Sequence, residues 1–269
     1  MELAGPLGFL GYGNMGSAIL AGLLEHGKLA AENLLIYDVD PAKAAAASDL
    51  GVQVAASAED LARRCATLVL AVKPQTMAEA LDQLEPGMSP EKLVISIAAG
   101  ISIDYLQGRL GTAVRVIRVM PNTPALVSAG AAGIALSPNC TEKDAELARE
   151  IFGAVGIAET VPEPAIDAVT ALSGSGPAYF FYMVECLIKA ATAQGLPEHV
   201  ATRLAGQTLL GAGRLLAESG EPAAILRERV TSKGGTTEAA LKQFAADGFE
   251  RVVAAAVDAA AARSRELGK

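Results

Sequence analysis

A chain of 269 residues with 22 Lys and Arg against 30 Asp and Glu carries a formal net charge of −8. Its length suits one large or two ordinary domains at roughly 150 residues each, and an apolar share of 51% supplies a core, which excludes general disorder. The acidic balance argues against a protein built to neutralise nucleic-acid phosphates or to lie on an anionic membrane.

Short apolar runs at Leu7–Leu10, Leu34–Tyr37, Thr67–Val72, Leu93–Ile97, Val114–Val119, Gly133–Leu136 and Ile157–Val161 read as strands. They are β-branched or Leu-rich and apolar on both faces, as in a sheet covered by helices on both sides. Helical segments at Met15–Leu24, Pro41–Leu50, Ala58–Arg64 and Thr141–Ala154 lie between them. Their starts carry the expected signals: Pro41 suits a first turn, Ser57 precedes Ala-Glu-Asp, and Thr141 is followed by Asp144. Strands alternating with helices imply parallel pairing in a doubly wound α/β domain, expected over residues 1–162.

From residue 163 to 269 no strand pattern recurs. Helices are expected at 165–172, 177–194, 198–219, 223–230, 236–246 and 249–267, punctuated by prolines at 164, 177, 197 and 222. Small residues at Gly206, Gly211 and Gly213 and along Val252–Ala262 allow close helix approach, within the chain or against a second subunit. The second domain is therefore all-α and expected to serve dimerisation.

Cys65, Cys140 and Cys186 are far apart and form no metal or disulfide pattern, so each is expected to be a small buried apolar residue and no metal is expected. No apolar run reaches the ~20 residues of a membrane helix. The start, Met1 to Gly5, has no positive n-region, so no signal peptide and a cytoplasmic location are expected.

Gly11, Gly13 and Gly16 form a G-x-G-x-x-G pattern after the first strand and at the opening of a helix, and a second strand ends in Asp38, 22 positions after Gly16. Alone the glycines are a weak signal. In this context they form the dinucleotide-binding fingerprint. Gly11 permits the tight turn, Gly13 lets pyrophosphate approach the backbone, and Gly16 packs helix on strand. Helix-start N–H groups hold phosphates without lysines, so an acidic chain can bind an anionic cofactor. Asp38 can accept hydrogen bonds from ribose hydroxyls but repels a 2′-phosphate, and only Lys43 stands nearby to offset it. NADH is therefore expected to serve at least as well as NADPH; a solvated Asp at a strand end is the alternative.

Ala71-Val72-Lys73-Pro74-Gln75, Ser96-Ile97-Ala98-Ala99-Gly100 and Met120-Pro121-Asn122-Thr123-Pro124 end three other strands, where ligands bind in such sheets. Carbonyl reduction wants a poised donor such as His, Lys or Tyr, yet His26 and His199 belong to no constellation, and Lys73 and Lys233 lack a carboxylate partner in sequence. An imine nitrogen can carry its proton beforehand, so the composition favours C=N reduction. Two segments in the helical half join hydroxyls to glycine: Ser173-Gly174-Ser175-Gly176-Pro177-Ala178-Tyr179, and Ser232-Lys233-Gly234-Gly235-Thr236-Thr237-Glu238. The second has the ingredients of a carboxylate site at a helix start.

In these motifs, together with Gly8–Gly16, Ala71–Pro74, Ser96–Gly100 and Met120–Ala125, nearly the whole chain resembles pyrroline-5-carboxylate reductase. The resemblance implies a Rossmann-type domain, a helical domain interlocking into homodimers and often rings of dimers, and hydride transfer from NADPH or NADH to the imine of 1-pyrroline-5-carboxylate, giving L-proline. It implies that Ser232, Lys233, Gly234, Gly235, Thr236 and Thr237 hold the substrate carboxylate together with Ser175. Thr237 would orient the ring nitrogen and relay a proton. Leu10, Gly11, Tyr12, Gly13, Asn14 and Met15 would line the cofactor, with Asp38, Ser57, Ala71, Val72, Lys73, Pro74, Ile97, Ala98 and Ala99. Lys233 departs from the family's usual proline, and Asp38 from its usual small or polar residue. A β-hydroxyacid dehydrogenase starts with a similar glycine loop, but its lysine four residues after the interdomain glycine is Phe180 here. A dinucleotide-sensing protein without turnover is the non-enzymatic alternative.

Overall fold

The computed structural model describes Leu3 and residues 5–268. Met1, Glu2, Ala4 and Lys269, which include the outer bounds of the expected domains and part of the stretch read for a leader, lie outside the described residues. By its internal contacts the chain divides into two compact units, 1–175 with 260–269, and 176–259.

The first unit is built on strands β1 (Leu7–Leu10), β2 (Leu34–Tyr37), β3 (Gln53–Val54), β4 (Thr67–Leu70), β5 (Leu93–Ser96), β6 (Arg115–Met120), β7 (Gly130–Leu136) and β8 (Gly156–Thr160). They form one sheet in the order β3-β2-β1-β4-β5-β6-β7-β8. β3 to β6 run parallel, with Leu7 opposite both Leu34 and Thr67. β7 departs from the all-parallel expectation by running antiparallel to β6, with Val119 opposite Ile134. A parallel return needs a crossover of a dozen or more residues, and only residues 121–129, holding a short 3-10 turn at Thr123–Val127, separate the two strands. β3 has no counterpart among the expected strands, because two residues are too few for a periodicity to show.

Helices α1 (Asn14–Glu25), α2 (Pro41–Ser48), α3 (Ala58–Arg64), α4 (Met77–Leu84), α5 (Ile103–Leu110), α6 (Glu142–Gly153) and α7 (Ile166–Val169) complete this unit. The expected start signals are made: Asp40 caps α2 with Pro41 following, Ser57 Oγ accepts the Asp60 N–H, and Thr141 and Asp144 form a full capping box. Strand alternation separates two apolar layers. Leu7, Phe9, Ile36 and Ile95 meet Ile19, Leu20 and Leu23 of α1 and Ile151 and Phe152 of α6. Leu10, Leu35, Leu70 and Val94 meet Leu61, Leu81, Leu84 and Leu106 from α3 to α5. Each fully buried side chain of this size contributes about 1.5–3 kcal/mol. This packing fixes the carboxyl ends of the strands, where the candidate site lies.

The compact units do not follow the change of pattern at residue 162. Ile166 and Ala171 are buried with the sheet, and Val169 fills the space a side chain on Gly133 would need. The second unit holds α8 (Gly176–Ala193), α9 (Glu198–Ser219), α10 (Ala223–Arg229), α11 (Thr236–Ala246) and the start of α12 (Phe249–Leu267). No strand follows β8 among the described residues. Phe180, Phe181, Tyr182, Leu204, Leu210 and Leu215 are exposed here, more large apolar surface than a lone soluble unit usually shows. Side chains added at Gly206, Gly211 or Gly213 would meet nothing within 4 Å.

Cys65 is buried as expected, but Cys140 is half-buried and Cys186 exposed on α8, which corrects the reading of all three as core residues. No group of three or more His, Cys, Asp or Glu is placed to hold a metal among the described residues. None of the described helices is long and apolar enough to cross a membrane.

Candidate functional site

Within the first unit the glycine loop joins β1 to α1. Gly11 has φ +97°, a backbone region that side chains rarely adopt, and a Cβ there would stand 2.8 Å from the Ala71 carbonyl oxygen. A Cβ on Gly16 would stand 2.8 Å from the Gly11 carbonyl oxygen, so this glycine sets how closely α1 approaches the loop. Gly13 is different: its conformation is extended, and a Cβ there would meet nothing within 4 Å. Gly13 is also the N-cap of α1, and no side chain caps that helix, so the first-turn N–H groups lack an intrahelical acceptor. Open space above an uncapped helix start suits a dinucleotide's pyrophosphate.

Asp38 clasps this loop rather than standing in solvent. Its Oδ2 accepts the Tyr12 N–H at 2.7 Å and its Oδ1 the Asp40 N–H at 2.9 Å. Lys43 Nζ lies 3.6 Å from Oδ2, and the Asp38 side chain is only 7% exposed. The carboxylate is therefore fixed beside the loop with part of its charge offset, while each oxygen keeps a lone pair for a further donor.

The neighbouring strand ends are loops, shorter as strands than expected. β4 stops at Leu70 and β5 at Ser96, with Ala71 N–H bonded to the Leu10 carbonyl at 2.8 Å and Ile97 N–H to the Leu70 carbonyl at 3.1 Å. These bonds bring Leu10, Ala71 and Ile97 side by side at one edge of the sheet. Val72 and Pro74 are half-buried, Lys73 and Ala99 exposed, and Ala98 buried. Ser57 sits at the start of α3 with its hydroxyl engaged as a cap at 3.0 Å.

The segment before α8 holds a feature that sequence reading missed. Residues Thr170–Gly174 form a π-turn closed by Ser175 N–H to the Thr170 carbonyl at 2.8 Å. Asn122 fixes it: its Nδ2 donates to the Ser173 carbonyl at 3.0 Å, and its Oδ1 accepts the Ala131 N–H at 2.9 Å. Such turns recur at functional sites. Its placement ties the Met120–Pro124 motif to Ser175, a link that spacing alone cannot show.

In the second unit the residues Ser232 to Thr237 form a turn into α11. Gly234 has φ +73°, and Gly235 N–H bonds to the Ser232 carbonyl at 3.0 Å. Gly235 is the N-cap of α11, again without a capping side chain. Thr237 lies half-buried in the first turn, while Ser232, Lys233 and Thr236 are exposed. Glu238, also unassigned from sequence, reaches back so that its Oε2 accepts the Gly234 N–H at 2.6 Å, and its Oε1 pairs with Lys242 Nζ at 3.0 Å. The Gly234 N–H, followed by the Lys242 ammonium, holds the Glu238 carboxyl below its ordinary value. The acid three residues after a helix-start glycine was the available signal.

His26 is the exposed C-cap of α1, and His199 is exposed in the first turn of α9.

Residues 163–267 match the family described as pyrroline-5-carboxylate reductase dimerisation, and residues 6–100 match NADP oxidoreductase, coenzyme F420-dependent. The chain is 42% identical over 264 residues to a pyrroline-5-carboxylate reductase of Methanosarcina acetivorans, covering 98% of each chain. Among solved structures, it resembles a pyrroline-5-carboxylate reductase of Coxiella burnetii with a TM-score of 0.94 and 35% identity, over 98% of this chain and 99% of that one. A pyrroline carboxylate reductase of Plasmodium falciparum with NADP bound gives a TM-score of 0.85 and 32% identity over 100% of both chains.

Proposed function

This chain belongs to the pyrroline-5-carboxylate reductase family, and from that premise we propose that it reduces the C=N bond of 1-pyrroline-5-carboxylate to give L-proline. Beyond the family, the observation that carries the reading is the start of α11: a glycine N-cap, no capping side chain, and Thr237 in the first turn. A helix start left open in this way suits a ligand carboxylate.

The open space at Gly13 and the uncapped start of α1 fit a nicotinamide dinucleotide, and such a cofactor supplies the hydride when bound. Gly11 and Tyr12, whose N–H groups are bonded to the Tyr37 carbonyl and to Asp38, shape the loop, the N–H groups from Gly13 to Met15 hold its pyrophosphate, and Asp38 accepts from ribose hydroxyls. Leu10, Ala71 to Pro74 and Ile97 to Ala99 form the wall on which a flat ring rests. In the loop Ser232–Thr237 the N–H groups of Gly234 and Gly235 are taken by Glu238 and Ser232, so those of Thr236 and Thr237 in the first turn hold the substrate carboxylate, with Ser175 as a further substrate contact. Thr237 places its hydroxyl at the ring nitrogen, which has taken its proton from solvent beforehand, so that hydride added to the carbon of this iminium leaves the neutral ring amine. An iminium needs no strong acid from the protein, consistent with two exposed histidines. Thr237→Ala is expected to lower kcat at least tenfold while cofactor Kd and Tm stay unchanged. Undiminished turnover would remove Thr237 from the mechanism.

On coenzyme choice we propose that NADH serves at least as well as NADPH, because the fixed Asp38 carboxylate repels a 2′-phosphate more than one lysine at 3.6 Å offsets. Values of kcat/KM for both coenzymes test this, and a strong NADPH preference would contradict it. The family's dimerisation match over 163–267 and the exposed apolar helices support a homodimer formed by the module beginning at residue 163; further assembly into rings of dimers is proposed from the family resemblance alone. Sedimentation velocity reads the assembly, and a monomer at micromolar concentration would overturn this part.

A further inference from the structure

We propose that Glu238 is the positioning residue of the loop Ser232–Thr237: its hydrogen bond to Gly234 fixes the turn so that the first-turn N–H groups of α11 stay presented to a ligand carboxylate. This deepens the reading above and rests on it.

A capping box has two halves. An N-cap hydroxyl accepts the N3 backbone N–H, and the N3 acid accepts the N-cap backbone N–H. At α11 only one half is built. The N-cap is Gly235, so no hydroxyl closes on the first turn. The N3 acid, Glu238, is present but hooks the residue before the cap, accepting Gly234 N–H at 2.6 Å. Thr141 and Asp144 at α6 show the complete device in the same chain. The departure at α11 therefore separates the two functions of the box: the loop is held, and the N–H groups are vacated.

The loop needs such a hold. Two successive glycines, one at φ +73°, give it large conformational freedom, and Lys233 has no ring to stiffen it. The turn is closed by Gly235 N–H to the Ser232 carbonyl and by Gly234 N–H to the Glu238 carboxylate. A carboxylate next to the landing place of an anionic ligand would repel it, and Lys242, one turn further on at 3.0 Å, neutralises that charge.

The test measures steady-state kinetics with 1-pyrroline-5-carboxylate and amide hydrogen exchange on the whole protein. Glu238→Ala is expected to raise KM about tenfold with kcat within threefold of the parent, cofactor Kd unchanged, and Gly234 exchange accelerated at least tenfold. Glu238→Gln, which keeps an acceptor oxygen, is expected to restore KM to within threefold. Glu238→Asp, one methylene shorter, should behave as Ala and stands in if the alanine variant fails to fold. An unchanged KM in Glu238→Ala, with the parent active, would overturn the positioning role and leave the proposed reaction standing. A lowered KM would also overturn it, making Glu238 a competitor of the ligand. Gln as damaging as Ala would refute the hydrogen-bond argument, and a parent inactive on this substrate would remove the reading together with the role.

Discussion

Gly13→Ala separates binding from folding more cleanly than any other substitution in the glycine loop. The Gly13 backbone is extended, with φ −79°, and an added Cβ meets nothing within 4 Å. Alanine therefore introduces no strain. The entropy removed from the unfolded chain stabilises by about 0.4–1 kcal/mol, and alanine's weaker performance at an N-cap offsets it. Stability should change by less than about 0.5 kcal/mol. The methyl group, however, enters the space through which a phosphate reaches the first turn of α1. Losing one charge-assisted hydrogen bond there costs about 1.5–3 kcal/mol, which raises Kd for NADH or NADPH by about 10- to 150-fold. Gly11→Ala supplies the contrast. With φ +97° and the Ala71 oxygen 2.8 Å away, it pays about 1–3 kcal/mol of strain in the fold itself, lowering Tm by several degrees. Thermal melts and fluorescence titration of both variants provide the comparison. A Gly13→Ala protein that binds dinucleotide as the parent does would refute the placement of the pyrophosphate at this helix start.

Three further outcomes follow from packing and electrostatics. Burial pushes the Asp144 carboxyl up, but the Thr141 N–H and hydroxyl and the Arg115 guanidinium together hold it below its ordinary value. Its folded pKa thus lies under the unfolded one, and its stabilisation is complete above about pH 4–5 and is lost as pH falls through the folded value. Asp144→Asn should cost roughly 1–2 kcal/mol at pH 7 in urea unfolding, and the gap to the parent should shrink on acidification; a gap independent of pH would contradict this. Gly100 has φ +78° and the Leu267 carbonyl oxygen 2.8 Å from where a Cβ would stand, so Gly100→Ala should lower Tm by several degrees. An unchanged Tm would show that the end of α12 does not pack there. Burial pushes the Cys65 thiol up to about 11 against the opposing pull of Lys92 and Arg64. It should resist an aromatic disulfide reagent at pH 8 until the protein unfolds, and ready labelling at Cys65 itself, told apart from the exposed Cys186 by peptide mass spectrometry, would disprove its burial.

Features carried by local chemistry were legible in the sequence. Ala58–Arg64, Glu198–Ser219, Thr236–Ala246 and Phe249–Leu267 emerge as helices because caps, prolines and glycines bound them. The glycine loop was legible because its spacing follows the chain's needs: Gly11 and Gly16 answer steric demands, and Gly13 leaves the helix start open. Features set by tertiary closure were not. β7 reverses direction because its connection is short, not because its residues differ from those of a parallel strand. The return of residues 260–268 to the first unit depends on Ser264 Oγ finding Asp167 Oδ1 at 2.6 Å, 97 positions away in sequence. Asp38 was read as an acid for a ribose, while its grip on the Tyr12 N–H depends on how β1 and β2 lie together. Asn122 was recognised as part of a motif, but its two hydrogen bonds, to Ser173 and Ala131, join segments that no spacing rule relates.

The proposed reaction turns on hydride delivery to the imine carbon. Incubation with 1-pyrroline-5-carboxylate and NADH carrying deuterium on the transferred face of nicotinamide C4 tests it directly, read by mass spectrometry and NMR of the product. The expected product is L-proline with one deuterium at Cδ, the former imine carbon. Unlabelled proline, or oxidation of the coenzyme without proline, would contradict it.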